Sequence, residues 1–138
     1  MWIIYALLSA AMAALVAIFG KFGVEKIDTT LATTVRAVIM AGFLILVSLS
    51  LGKWRGISSF HGRPLLYIFL AGIAGALSWL FYFTALKTGL ASGVAAIDRL
   101  SVVFVLILAV MFLGERLTWL SGLGAILLTS GAILMTIK

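Results

Sequence analysis

The chain has 138 residues, of which 64% are hydrophobic and 10% charged, with one proline and no cysteine. A soluble domain is about half apolar and about a quarter charged, so this composition predicts a membrane protein, and at about 20 residues per span its five or at most six crossings leave no room for a soluble catalytic domain. The net charge of +6 sits in short gaps between apolar runs, where cations orient helices and meet lipid phosphates rather than nucleic acid. Without cysteine there is no disulfide framework, thiolate metal site or catalytic thiol to consider.

The first apolar run predicts a span over residues 2–20. No Lys or Arg precedes it, so the basic n-region of a secretory signal is missing, and Ala11-Met12-Ala13 resembles a cleavage site only loosely; a retained first span is expected. The next uninterrupted run, from Ala37 to Leu51, would give only about 22 Å of helix against a hydrocarbon core of about 30 Å. The second span therefore covers residues 30–51 and contains Arg36, about two turns from its end. After a basic loop, Pro64 stands where a helix tolerates proline, in its first turn, and a third span is expected over residues 64–86. Thr88-Gly89 predicts a stop and turn. Beyond it neither the Leu90–Ile97 run nor the Leu100–Leu113 run can cross alone, so they form one span over residues 90–113 with Asp98 and Arg99 near the bilayer midplane. A tight connection then leads to a fifth span over residues 118–137. The expected fold is all-α, a polytopic membrane protein of five transmembrane helices in a single domain, 1–138.

Five spans put the termini on opposite faces. Lys53, Arg55, Arg63 and Arg116 then fall on one face and Lys21, Lys26, Lys87 and Lys138 on the other. Orientation follows the Lys and Arg bias of short loops, and an even division gives no strong instruction. It predicts dual topology, with copies inserted both ways and paired as an antiparallel homodimer. The alternative is a single orientation set by the Lys53–Arg63 cluster, with Arg36 helping to retain the other side.

An Arg or Asp at a helix centre costs about 2.5–3.5 kcal/mol on the insertion scale, and such residues usually mark a site or a pathway. Asp98 and Arg99 leave their helix about 100° apart, so they cannot share one narrow face. Pairing Asp98 with Arg36 is geometrically plausible and would leave Arg99 for a ligand, a carbonyl or a second protomer; the plainer possibility is a structural network in which Arg36 snorkels to the interface. Trp79, Tyr82 and Phe83 stand at i, i+3 and i+4 and share a face. Such rings can stack on a cationic or aromatic solute, although depth suits Tyr82 and Phe83 to the aromatic belt at the headgroups. Trp2, Tyr5, Trp54, Tyr67 and Trp119 read as belt residues. Small residues four apart, such as Ala71 with Gly75, Gly72 with Ala76 and Ser121 with Ala125, favour close helix packing in lipid. Gly122, Gly124 and Gly131 mark the fifth span as a packing or dimer helix. No glycine pattern fits a phosphate loop. The lone His61 lies in a polar loop and reads as solvated, and no cluster of carboxylates or histidines supplies a metal site or a catalytic set.

The stretch Phe81-Tyr82-Phe83-Thr84-Ala85-Leu86-Lys87, then Ala91-Ser92, Phe104-Val105 and Phe112-Leu113-Gly114-Glu115-Arg116-Leu117-Thr118, followed by Gly122 and Gly131, resembles the EamA-type domain of the drug/metabolite transporter superfamily. Arg36 matches an arginine that the family tends to carry near the start of its second span. Larger members join two such five-span domains in inverted orientation and export small organic compounds, so the resemblance implies one half of an inverted-repeat transporter, which an antiparallel homodimer would complete. The chain departs from the family in its fourth span, where Leu100-Ser101-Val102 follows Asp98-Arg99 and the usual proline is missing, which puts a hinge there in doubt. The expectation is therefore a secondary transporter of small organic solutes in a prokaryotic inner membrane, with no enzymatic activity, no cofactor, no metal and no nucleic acid partner. Its site would comprise Asp98 for a cation or proton, Arg99 and Arg36 for an anionic group or for tuning Asp98, and Trp79 and Tyr82 for stacking. A non-transporting accessory or scaffold subunit, paired with another half-size chain, is the rival expectation.

Overall fold

The computed structural model describes residues 1–54, 56 and 61–137. Arg55 and Lys138, two of the cations in the four-against-four division, lie outside the described residues. Among the described residues the architecture is all-α, with no strand, and it orders six helices along the chain: α1 (Trp2–Val24), α2 (Thr29–Ser50), α3 (Arg63–Thr88), α4 (Ala91–Asp98), α5 (Ser101–Leu108) and α6 (Trp119–Leu134). Four apolar segments are long enough to cross a membrane: α1, α2, α3 and the segment Ala91–Leu113. The protein is a polytopic membrane protein. Its helices present apolar side chains nearly all round, as lipid-facing helices do.

The chain forms two units, Phe22–Lys87 and the pairing of Met1–Lys21 with Thr88–Lys138. In the Phe22–Lys87 unit, α2 begins at Asp28, whose carboxylate accepts from the backbone N–H groups of Thr30 and Leu31 at 2.9 and 3.0 Å. That satisfies two of the amides a helix start leaves open, and places negative charge at the positive end of its dipole. The hydroxyls of Thr33 and Thr34 donate back to the carbonyls of Thr29 and Thr30, as Thr84 does to Leu80. Such bonds keep polar groups satisfied where no water reaches. α3 starts at Arg63 with Pro64 in its first turn, where the missing N–H costs nothing. Near the other end of α3, Lys87 Nζ donates to the carbonyl of Ile27 at 3.2 Å, and the Thr84 hydroxyl lies 3.5 Å from that of Thr29. The facing numbers rise on α2 as they fall on α3, so the two helices are antiparallel. The buried residues of this unit are Val24, Thr33, Phe83 and Leu86.

α3 ends at Thr88, where a stop and turn was expected. In the second unit Lys21, in the last turn of α1, donates to the carbonyl of Gly89 at 2.8 Å. The fourth span departs from a single helix. α4 ends at Asp98, and Arg99 and Leu100 form a tight turn in which the amides of Leu100, Val102 and Val103 bond three residues back instead of four. The tightening thus arises without proline, beside the charged pair, while Arg99 and Leu100 keep right-handed helical dihedrals. After α5 the segment Ala109–Leu113 widens into a π-turn. It stops at Gly114, φ 67°, where the carbonyl of Ala109 receives the amides of both Gly114 and Glu115. A residue with Cβ is strained in that conformation.

Thr118 then caps α6, its hydroxyl accepting from the Ser121 amide at 3.1 Å. With 16 residues, α6 is roughly 24 Å long and shorter than the expected fifth span. In its last turn the carbonyls of Gly131 and Ile133 are satisfied by the amides of Met135, Thr136 and Ile137. α4 and α5 both pack on α6, with Gly93 beside Thr136 and Met135. Small buried residues, Ala17, Ala109 and Ala132, make the core of this unit. The small residues of α3 do not pack in this way: Ala71, Gly72 and Ala76 are exposed.

Candidate functional site

α2 and α3 bring three of the expected site residues together in one unit. Arg36 lies about two turns into α2, roughly 10 Å of rise, and Trp79 lies roughly 13 Å from the end of α3, so the antiparallel register sets them at the same level. The Arg36 guanidinium carbon stands 3.6 Å from the centroid of the Trp79 ring and 5.6 Å from that of Phe83. The rings also brace one another. Trp79 meets Tyr82 edge-on at 5.5 Å and Phe83 at 5.8 Å, and Tyr82 meets Phe83 edge-on at 6.2 Å. Edge-to-face pairs at these distances stabilise by about 0.5–1.5 kcal/mol each.

A cation over an aromatic face gains about 0.5–2 kcal/mol, rising as water is excluded. That offsets part of what an arginine costs inside a span and holds the side chain among the rings. Arg36 is half-buried, as are Trp79 and Tyr82. Phe83 is 4% exposed, so it is not a belt residue; it forms the floor on which Trp79 and Tyr82 rest. Its place on the shared i, i+3, i+4 face was the only sequence signal for that. Phe81, two residues earlier on the opposite face, is 72% exposed and faces lipid. Trp2, Tyr5, Trp54, Tyr67 and Trp119 are exposed, as belt residues are.

Asp98 and Arg99 stand in the other unit. They flank the break between α4 and α5 and both are exposed. Asp98 is the last residue of α4 and Arg99 the cap residue that follows. Two further cations stand where the sequence gives them only an orienting role. Lys21 and Lys87 instead tie down loop carbonyls of Gly89 and Ile27, a role no spacing in the sequence announces. Among the described residues no group of three or more His, Cys, Asp or Glu could hold a metal ion.

The model of the EamA-like transporter family matches residues 1–137. The chain belongs to the EamA-like transporter family. It is 43% identical over 136 residues to an uncharacterized transporter in the cobO 3' region of a Sinorhizobium species, a match that covers 99% of this chain and 96% of that relative. No solved structure matches it. Family and helices together describe a multi-pass membrane protein of a transporter family. The motif residues acquire physical meaning in this light: Gly114 ends the fourth span in the left-handed conformation and Thr118 starts α6.

Proposed function

We propose that the protein is a secondary transporter of small organic solutes, working by alternating access as an antiparallel homodimer in a bacterial inner membrane. The observation that carries this reading is a charged side chain held on an aromatic cluster inside a spanning helix pair, Arg36 on Trp79, in a chain of transporter family. In this reading Arg36 and Arg99 meet an anionic group of the solute or tune Asp98, Trp79 and Tyr82 stack on its body, and Asp98 at the broken fourth span takes a cation or proton. Broken helices whose half-helix ends face ions are a recurring device of inverted-repeat transporters. The relative, named a transporter and matched over 96% of its length, supports transport by a chain of this size. The even division of loop cations supports insertion in both orientations. The test is solute flux in proteoliposomes, comparing the parent protein with Arg36→Gln, Asp98→Asn and Arg99→Ala variants that purify as the same species. Flux by the parent and its loss in the variants supports the proposal, and variants that transport as well as the parent refute the site.

A further inference from the structure

The aromatic face on α3, taken by itself, suits a cationic solute. Its best ring is occupied, however, because the guanidinium of Arg36 already covers Trp79 at 3.6 Å. A solute cation would have to displace the protein's own cation and then lie beside it. Within the Phe22–Lys87 unit the two carboxylates of the described residues do not relieve this charge: Asp28 accepts from the α2 amides at the helix start, and Glu25 is exposed in the segment before it. Arg36 makes no hydrogen bond or ion pair among the described residues of its unit. Nor is it sealed in, since no buried side-chain nitrogen or oxygen among the described residues lacks a hydrogen-bond partner. Its nitrogens therefore have open surface.

A guanidinium stacked by its face on a ring keeps its N–H donors around its edge, in the fork that matches a planar carboxylate bidentately. The ring weakens the positive charge without cancelling it. We propose that the solute is an organic anion with a flat apolar body: its carboxylate takes the edge of Arg36, its body lies against Tyr82 and the part of Trp79 that the guanidinium leaves uncovered, and organic cations are excluded. The proposal rests on the transport reading of this site and names the class of solute. It also assigns Trp79 a second role, as the support that keeps the guanidinium edge turned toward the ligand.

Three probes share one body and differ in charge: 3-phenylpropionate, 3-phenylpropanamide and 3-phenylpropylammonium. They are titrated into nanodiscs carrying the full chain with Trp2→Phe, Trp54→Phe and Trp119→Phe, so that emission comes from Trp79. A saturable change with the carboxylate, at a half-saturation about tenfold or more below that of the amide and the ammonium, is the expected result. In Arg36→Gln the carboxylate loses this advantage, and Arg36→Lys keeps part of it. A carboxylate response no stronger than the other two, including none with any probe, overturns the proposal, as does an undiminished response in Arg36→Gln. If Arg36→Gln does not fold, the three-probe comparison on the unaltered Arg36 still decides. Flux of the same probes in proteoliposomes separates the two levels: carboxylate binding without flux overturns transport and leaves the anion site standing, whereas flux of the ammonium alone leaves transport standing and overturns the anion class.

Discussion

Arg36 shows how one side chain ties sequence to function. Its position in a span follows from length arithmetic, because the second apolar run is too short to cross without it. What it touches does not follow, since the register between α2 and α3 is a tertiary fact; only the structure puts the guanidinium on Trp79. That contact makes a sharp prediction. Trp79→Leu removes the ring and leaves the cation unsupported, so the thermal midpoint in detergent should fall, corresponding to about 0.5–2 kcal/mol, whereas Trp79→Phe should lose less. Equal midpoints for the parent and both variants would show that the stacking contributes nothing. Phe83 teaches the complementary lesson. Depth along the helix suggested an interface ring, but depth is blind to which side of a helix meets a neighbour, and Phe83 is the most buried aromatic of its cluster.

At the scale of elements, the proline start of α3 and the stop at Thr88-Gly89 were legible, whereas the capping hydrogen bonds and the tight turn in the fourth span were not. Asp28 before α2 and Thr118 before α6 are residue types that accept from helix amides, and both do so. Pro64 marks the start of α3 for a similarly local reason. Gly114 ends the fourth span with φ 67°, so Gly114→Ala should destabilise by about 1 kcal/mol or more, while Gly93→Ala, whose Cβ would meet Thr136 at an ordinary 3.6 Å, should be tolerated. Thermal unfolding of the two variants side by side checks this, and a larger loss at Gly93 would contradict it. The break at Arg99-Leu100 was hidden because the sequence offers no proline there. Three-residue hydrogen bonds instead of four tighten the helix there. The turn at Gly89 was legible in Thr88-Gly89, but its stabilising partner was not, because Lys21 is 68 residues away in sequence.

For the whole molecule, composition alone settled the environment, and the motif order indicated the family that the family match then established. The sequence pattern could not show how cations divide their duties. Lys21 and Lys87, counted as orienting charges, also hold loops together, yet their charge still acts during insertion. The even division therefore continues to predict dual topology. A reporter fused to the C-terminus should be found on both faces of the membrane in comparable amounts, and strict confinement to one face would contradict the antiparallel homodimer. The central claim, that the chain moves small organic solutes through a site containing Arg36, is tested most directly by flux in proteoliposomes. The purified parent protein alone should carry at least one organic anion, and Arg36→Gln, with stability within about 1 kcal/mol of the parent, should lose about tenfold or more of that flux. Absence of flux from the parent across organic anions, amines and neutral solutes, or undiminished flux in Arg36→Gln, would contradict it.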